Sequence, residues 1–246
     1  MIKQKRINIY AMIPARIGSQ RLKYKNLALI NKKPLISYAI DAAKKAKIFK
    51  KIILNSDHRI FESISKLYKV DFYLRKKKYG SSNTKSDDLV NDFLINNNCD
   101  ILMWINPIAP LLDFNDIKKI KKYFIKKNLN SLITTHKVNV HSMENIKKNI
   151  LKPINFKFKT KFEKTQDLKP ISLMNYCVMM WRSKSFTNNM KNHGSAILHG
   201  KVGFYDLDMY KSFIVKNKLD LNLIENIMNS NLKRKVKYHY KIKSKL

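Results

Sequence analysis

Residues 11–26 read A-M-I-P-A-R-I-G-S-Q-R-L-K-Y-K-N, and they combine side-chain types that bind phosphate. An apolar run at residues 7–13 leads into a turn that contains Gly18, and several cations follow. Glycine lets the backbone approach a ligand closely, loop N–H groups can surround an anion, and arginine binds phosphate oxygens in pairs. The segment therefore predicts a phosphate-binding loop carrying Arg16, Arg21 and Lys25, although it lacks the Gly-Lys-Ser/Thr ending of a P-loop. The alternative is a surface turn with incidental positive charge.

The chain of 246 residues is strongly basic, with 51 Lys+Arg against 17 Asp+Glu and a formal net charge of +34 at pH 7. Such a charge could indicate nucleic-acid binding. The lysines, however, are spread along the whole chain, and no helix-turn-helix, zinc-finger, RNP or KH pattern is present in the sequence. We therefore expect no specific nucleic-acid partner, although the charge would attract nucleotides, pyrophosphate and carboxylated sugars.

The sequence also bears on location. No apolar run approaches the roughly 18 residues that a membrane span needs, so we expect none. The basic N-terminal residues run directly into the predicted loop, which argues against a cleaved leader. Cys99 and Cys177 lie in apolar stretches without a partner pattern, which indicates buried thiols in a reducing compartment. A cytoplasmic location is the expectation.

Hydrophobic periodicity predicts alternating strands and helices. The predicted strands are residues 7–13, 51–55, 70–74, 100–105, 131–135, 172–181, 202–207 and 211–215. The predicted helices are residues 34–46, 59–68, 86–96, with Ser86 or Asp87 as N-cap, 115–127 and 220–228. This alternation predicts an α/β fold with three layers, a mostly parallel Rossmann-like sheet covered by helices on both faces.

Ligands of such sheets bind beyond the carboxyl ends of the strands. The candidate residues follow four predicted strands in turn: the basic loop, then residues 55–57, then Arg75, then Asn106. Their convergence makes one phosphate and sugar site more plausible than four unrelated surface features.

Residues 137–170 depart from this pattern, because lysine and asparagine dominate and the run F-K-F-K-T-K-F suggests a two-faced strand or an extended arm. We interpret the segment as a small β arm, either a dimer contact or a local cover of the core. The methionines near residue 180 are interpreted as core filling. The expectation is one domain at residues 1–232 with this arm, followed by a basic tail at 233–246.

The loop resembles the opening motif of the cytidylyltransferases that make CMP-activated sugar acids, and it is most similar to the acylneuraminate group. The matching residues are Pro14-Ala15-Arg16-Ile17-Gly18-Ser19-Gln20-Arg21, then Lys25-Asn26, then Pro34-Leu35-Ile36. The resemblance implies a nucleotidyltransferase fold and a homodimer formed through the arm. It also implies transfer of CMP from CTP to a keto sugar acid, a nonulosonate such as sialic, legionaminic or pseudaminic acid, with release of pyrophosphate.

The resemblance assigns residues to roles. Arg16 and Lys25 would hold the triphosphate and stabilise the departing pyrophosphate, which makes them the catalytic candidates. The nucleotide-binding candidates are Ala15, Gly18, Ser19, Gln20, Arg21, Asn26 and Arg75. The sugar-binding candidates are Asn106, Asn175 and Gln166. Two alternatives stay open: Arg21 as a solvated neighbour, and Arg75 as the solvated start of a lysine run.

The sequence departs from the family pattern on the sugar and metal sides. Asn106 replaces a glutamine, Leu112 an arginine and Tyr176 a glycine, which suggests an altered acceptor pocket. Mg²⁺ is expected from the family, yet Ile214 and Lys216 stand where the resemblance places its paired aspartates. Asp206 and Asp208 are weak replacements. The remaining alternatives are that Lys216 supplies the charge, that the chain is a catalytically silent nucleotide-binding protein, or that it uses another base or sugar.

Overall fold

The computed structural model describes residues 7–147, 150–158 and 161–230. Its strands are, in chain order, β1 (Ile9–Ala15), β2 (Leu29–Ile30), β3 (Lys33–Pro34), β4 (Lys51–Ser56), β5 (Asp71–Leu74), β6 (Ile101–Ile105), β7 (Ser131–Val138), β8 (Met143–Lys147), β9 (Ile150–Pro153), β10 (Ile171–Arg182) and β11 (Val202–Asp206). Its α-helices are α1 (Leu35–Ala46), α2 (Ile60–Tyr68), α3 (Ser86–Asn96), α4 (Phe114–Lys126), α5 (Ser183–His193) and α6 (Lys218–Asn229).

The main sheet has seven strands in the order β11-β7-β10-β6-β1-β4-β5. All neighbouring pairs are parallel except those of β10, which runs antiparallel to both β6 and β7. The prediction of a mostly parallel α/β sheet is therefore confirmed. Because β4, β5 and β6 are parallel to β1 or to each other, their carboxyl ends lie along one edge of the sheet.

The core lies on both faces of the sheet. Alternate residues of β1 point to opposite sides, so that Ile9 and Ala11 belong to the larger cluster and Tyr10 and Met12 to the smaller one. Helices α1 and α4 contribute to the first cluster, while α3 and α5 contribute to the second. All five positions of β6 are buried, which explains the absence of alternation in its sequence. Three layers result, as predicted.

Several local predictions are wrong. Residues 211–215 form no strand: a 3₁₀ turn occupies Met209–Ser212, and the chain then passes the loop after β6. Helix α5 was not predicted. Phe186 is its one buried apolar residue, so its sequence shows only a weak helical periodicity of apolar positions. Neither Ser86 nor Asp87 is the N-cap of α3, which is Lys85. The Asp87 carboxylate instead accepts the backbone N–H groups of residues 196 and 197 at 2.7 and 3.0 Å.

The arm is a hairpin of β8 and β9, and its strands precede the phenylalanine run. The described residues of that run form no strand, so the prediction of a strand is wrong there. The rings of Phe156 and Phe162 instead gather around His141. The His141 and Phe162 rings are stacked with centroids 4.0 Å apart. The predicted basic tail at 233–246 lies outside the described residues.

Two expectations about composition have structural outcomes. Cys99 and Cys177 are both buried free thiols, and burial raises their pKa values to about 11 and about 12. Within the described part of the chain, none of the helices has the length and apolar character needed to cross a bilayer.

A partly buried ion cluster fixes the start of α4 to the turn that follows β11. Asp113 and Asp116 form a capping box at the α4 N-terminus, and Lys211 Nζ lies 2.7 Å from Asp113 Oδ2 and 2.6 Å from Asp116 Oδ2. Burial opposes the charge of Lys211, but the two carboxylates raise its pKa overall. Burial likewise opposes ionisation of Asp113, and the hydrogen bond from Lys211 leads the contacts that lower its pKa overall.

Replacing Lys211 with methionine is expected to cost about 2 kcal/mol of unfolding free energy at pH 7, because two neighbouring carboxylates lose their shared cation. The lowered pKa of Asp113 gives stability that is present above its unfolded value and lost as the pH falls through its folded value. The difference between Lys211→Met and wild type in urea unfolding should therefore shrink towards pH 3. Lys118→Met, on the exposed side of α4, is the control; an equal loss there would contradict the assignment.

Candidate active site

A cleft of about 170 Å³ lies where the carboxyl ends of β1, β5 and β6 meet. Arg16 follows β1 directly, Arg75 follows β5, and Asn106 follows β6. The lining residues are Pro14, Arg16, Ser19, Lys25, Asn26, Arg75, Trp104, Asn106, Pro107 and Ile108. Six of the residues predicted from the sequence thus line one cleft: Arg16, Ser19, Lys25, Asn26, Arg75 and Asn106.

The basic loop concentrates positive charge at the cleft. Lys25 begins a 3₁₀ turn that leads to β2, and its side chain is partly buried. Burial lowers the pKa of Lys25, the charges of Arg21 and Arg16 lower it further, and Asp220 at the start of α6 opposes them. Since like charges repel, this arrangement favours binding of a polyanion that would neutralise the three cations.

Helix α6 is held against the β2–β3 hairpin, which follows the basic loop. The Glu225 carboxylate accepts the backbone N–H of Asn31, in the β2–β3 hairpin, at 2.7 Å. Ile224 packs in a small buried cluster with Ile30 and Leu35. The Glu225 carboxylate therefore anchors α6.

Arg75 is buried at the back of the cleft, with 3% of its side chain exposed. Its Nη1 donates to the backbone oxygen of Asn55 at 3.1 Å, and its Nη2 lies 3.5 Å from Asp57 Oδ1. The same Asp57 oxygen accepts the backbone N–H of Ile17 at 3.3 Å. Gly80 packs so closely on Asp57 that a Cβ there would collide with the carboxylate. Asp57 therefore links the basic loop to Arg75, so the alternative of a solvated Arg75 is wrong.

Buried polar atoms without partners are concentrated at the cleft. In residues 7–147, 150–158 and 161–230, five buried side-chain nitrogen or oxygen atoms have no hydrogen-bond partner. Three of them belong to cleft-lining residues: Asn26 Oδ1, Arg75 Nε and Trp104 Nε1. An unpaired buried polar group costs free energy, so these atoms indicate a ligand that completes their hydrogen bonding.

Asn106 and Asn175 are the asparagines predicted to bind the sugar, but their amides are engaged by the protein. Asn106 Nδ2 donates to the backbone oxygen of Tyr176 at 3.2 Å. Asn175 is buried; its Oδ1 accepts from Thr134 Oγ1 at 2.6 Å, and its Nδ2 donates to Ser212 Oγ at 2.9 Å. Between the two asparagines, Tyr176 adopts φ +57° in a bulge of β10. The left-handed conformation explains why the resemblance implies a glycine there.

Tyr176 provides a test of this bulge. Tyr176→Gly is expected to unfold with a free energy about 1 kcal/mol higher than Tyr176→Ala, because glycine tolerates the left-handed conformation and alanine does not. Both variants remove the same exposed ring, so the comparison isolates the backbone. Equal midpoints and slopes in urea unfolding would contradict backbone strain at this position.

The remaining predicted residues lie around or away from the cleft. Ala15 is buried at the end of β1, while Gly18, Gln20 and Arg21 are exposed on the loop. Gln166 is exposed in a 3₁₀ turn, Thr165–Asp167, and is not among the lining residues. The sequence reasoning missed Trp104, Pro107 and Ile108 as lining residues, as well as the pairing of Asp57 with Arg75. Asp57 itself was among the predicted strand-end residues 55–57, but its partner was not predicted.

The metal candidates are used in other ways. Asp206 accepts from Thr135 Oγ1 at 2.6 Å and from Lys137 Nζ at 2.9 Å, and these contacts, led by that of Thr135, lower its pKa. Asp208 is exposed. Within the described ranges, no group of three or more His, Cys, Asp or Glu side chains could hold a metal ion.

Known proteins share sequence similarity with this chain. An N-acylneuraminate cytidylyltransferase of Escherichia coli O18:K1:H7 is 31% identical over 120 residues, which is 48% of this chain and 29% of that protein. This chain thus spans less than a third of that relative. A post-translational flagellin modification protein B of Campylobacter coli is 25% identical over 228 residues, or 88% of this chain and 93% of that protein.

The fold has a counterpart among solved structures. A CMP:2-keto-3-deoxy-manno-octonic acid synthetase complexed with CTP superposes with a TM-score of 0.64 at 13% identity, covering 90% of this chain and 98% of the other. The sequence profile of the family described as cytidylyltransferase matches residues 10–171, which include the basic loop, Arg75 and Asn106. The chain therefore belongs to the cytidylyltransferase family.

Proposed function

We propose that this chain transfers CMP from CTP to a keto sugar acid and releases pyrophosphate. The observation that carries the proposal is the cleft, where Arg16, Lys25 and Arg75 meet the unpaired atoms Asn26 Oδ1 and Trp104 Nε1. Cations suit a triphosphate, and unpaired donors and an acceptor suit a base and a ribose. Family membership makes cytidine the expected base.

In the proposed reaction the anomeric hydroxyl of the sugar acid attacks the α-phosphorus of CTP. The new bond joins the sugar oxygen to phosphorus, the bond from the α-phosphorus to the bridging oxygen breaks, and the hydroxyl proton leaves to water. Arg16 and Lys25 stabilise the charge that develops on pyrophosphate. Such a step depends on alignment and charge stabilisation and needs no covalent enzyme intermediate.

The acceptor is proposed to be a nonulosonate such as sialic, legionaminic or pseudaminic acid. An N-acylneuraminate cytidylyltransferase among the relatives supports this class. Asn106 lines the cleft and donates to the backbone oxygen of Tyr176 in the adjacent bulge. Both residues depart from the family pattern, so we place the selection of the acceptor there.

The experiment measures pyrophosphate with CTP and a panel of sugar acids, each component also being omitted in turn. Release is expected only when CTP and one acid are both present, and it should fall strongly in Arg16→Met but not in Arg59→Met. Arg59 is an exposed control paired with Glu62. UTP, ATP and GTP added as competitors report the base preference. No release above background across the panel would contradict the proposal.

A catalytically silent nucleotide-binding protein is the second candidate. It is favoured because the described residues include no cluster of His, Cys, Asp or Glu side chains that could hold a metal ion. Calorimetry separates the two, because CTP binding without turnover supports the silent protein. Salt-sensitive duplex binding that survives Arg16→Met would instead indicate a nucleic-acid binder.

We also propose a homodimer formed through the arm, in a cytoplasmic protein. The support is the apolar surface of the arm, where Ile146, Ile150, Leu151 and Phe162 are all about half exposed or more. Apolar patches of this kind usually mark contacts between proteins. Sedimentation of wild type and of Ile146→Lys/Leu151→Lys checks the dimer, which the variant should lose.

A further inference from the structure

The donor chemistry of the cleft does not fit a magnesium ion bound by protein carboxylates. Mg²⁺ is usually held through one or two carboxylates together with substrate phosphates. The cleft lining drawn from the described residues contains the cations Arg16, Lys25 and Arg75, and it contains no aspartate or glutamate.

Two carboxylates whose charges act on the lining cations are already engaged. Asp57 accepts the backbone N–H of Ile17 at 3.3 Å and pairs with Arg75 at 3.5 Å. Asp220 accepts the backbone N–H groups of Lys216 at 2.7 Å and Asn217 at 3.0 Å, and so completes the capping box of α6. Each of these carboxylates therefore already has a structural role, through Oδ1 of Asp57 and Oδ2 of Asp220.

The segment that could have supplied carboxylates passes the rim of the cleft. The backbone N–H of Val215 donates to the oxygen of Ile108, a lining residue, at 2.8 Å. On either side of Val215 stand Ile214, which packs against the main core, and Lys216, which is exposed. Asp220, which accepts the Lys216 backbone N–H, also acts on the pKa of Lys25, so the start of α6 is within electrostatic range of the basic loop. This rim carries a cation where the family resemblance places two carboxylates.

We propose that this chain binds CTP without a divalent cation held by the protein, and that Lys216 supplies positive charge at the rim of the cleft. The inference rests on the proposed function for the identity of the nucleotide. A site that needs magnesium would bind CTP more weakly when magnesium is removed, and the proposed site should not. Metal-free CTP carries more negative charge than its magnesium complex, so a cleft lined by cations should bind the free form at least as tightly.

Calorimetric titration of the full chain with CTP, in EDTA and in excess MgCl₂ at equal ionic strength, tests the proposal. The dissociation constant in EDTA is expected to be equal to or lower than that in magnesium. A weakening of tenfold or more in EDTA would overturn the inference. Equal ionic strength is needed because salt screens the attraction between exposed charges.

Variants at the rim identify the role of Lys216. Lys216→Met is expected to weaken CTP binding in EDTA about tenfold, and Lys216→Asp more strongly. Lys184→Asp is the control, because it changes the net charge by the same amount as Lys216→Asp. Lys184 lies beside Asp100, at the end of the sheet opposite the cleft, so the CTP affinity of this variant should match wild type. Equal effects at positions 184 and 216 would overturn the assignment of Lys216.

A gain-of-dependence variant completes the test. Ile214→Asp/Lys216→Asp restores the paired carboxylates, and it is expected to bind CTP in magnesium but at least tenfold more weakly in EDTA. Since Ile214 packs on the core, Lys216→Asp alone serves as the second readout if the double variant is unstable. Absence of CTP binding by wild type in both buffers would instead overturn the proposed function, which separates the two failures.

Discussion

Replacing Lys25 with methionine is expected to lower the rate of pyrophosphate release about 10²–10³-fold, the range seen when one charge-stabilising donor is removed. CTP affinity should fall about 10- to 100-fold, as expected for the loss of one charged hydrogen bond. The empty protein, in contrast, should be as stable as wild type or more stable. The reason is that burial and the charges of Arg21 and Arg16 disfavour the ammonium group while no anion is bound.

The same repulsion sets the pH dependence of CTP binding. The folded-state pKa of Lys25 is lowered, and phosphate binding should raise it again. CTP affinity is therefore full below the pKa of the empty site, and it declines as the pH rises from that value to the pKa of the complex. The apo protein behaves in the opposite sense, because the lowered pKa costs stability at lower pH and this cost is relieved as the pH rises towards 10.5.

Calorimetry with CTP between pH 6 and pH 10 and thermal unfolding of the empty protein measure both effects. Lys23→Met is the matched control, since Lys23 lies in the same loop but over the exposed ring of Tyr24. Lys25→Arg should keep binding and move its decline to higher pH, because guanidinium stays charged. A destabilised Lys25→Met that still binds CTP would show that the side chain is structural.

The site could be predicted to the extent that it follows strand ends. Arg16, Arg75 and Asn106 each come immediately after a strand of the parallel part of the sheet, so hydrophobic periodicity and the rule for carboxyl ends were sufficient to bring them together. Trp104 could not be found in this way. It lies inside β6, and the sequence of a strand buried on both faces does not indicate which side chain borders a cleft.

Contacts between segments that are distant along the chain could not be predicted from the sequence either. The strand at 211–215 was predicted from its apolar residues. Two of them, Phe213 and Val215, instead pack in the cluster that includes Ile224 of α6. The pairing of Asp57 with Arg75 depends on the register of β4 with β5. The left-handed Tyr176 depends on a bulge between two antiparallel partners. None of these is encoded by local periodicity, because each is decided by tertiary packing.

Replacing Arg75 with methionine is expected to reduce the free energy of unfolding by about 3 kcal/mol, the lower part of the range for breaking a buried ion pair. Burial lowers the pKa of Arg75, Asp57 raises it, and the charge of Arg16 lowers it. Removing the guanidinium leaves Asp57 and the Asn55 oxygen without their cation. Urea unfolding at pH 7 measures the loss, and Arg59→Met, exposed at the N-cap of α2, should change by less than about 0.5 kcal/mol.

A second variant separates the ion pair from simple packing. Arg75→Met/Asp57→Asn removes both charges, so it should unfold with more free energy than Arg75→Met alone, because the uncompensated carboxylate is gone. Arg75→Lys should not restore wild-type stability, since one ammonium group cannot reach Asn55 and Asp57 together in the fork geometry of guanidinium. If the double variant were as unstable as the sum of the single variants, the pair would not be coupled. In that case Arg75 would be present at the base of the cleft for the nucleotide alone.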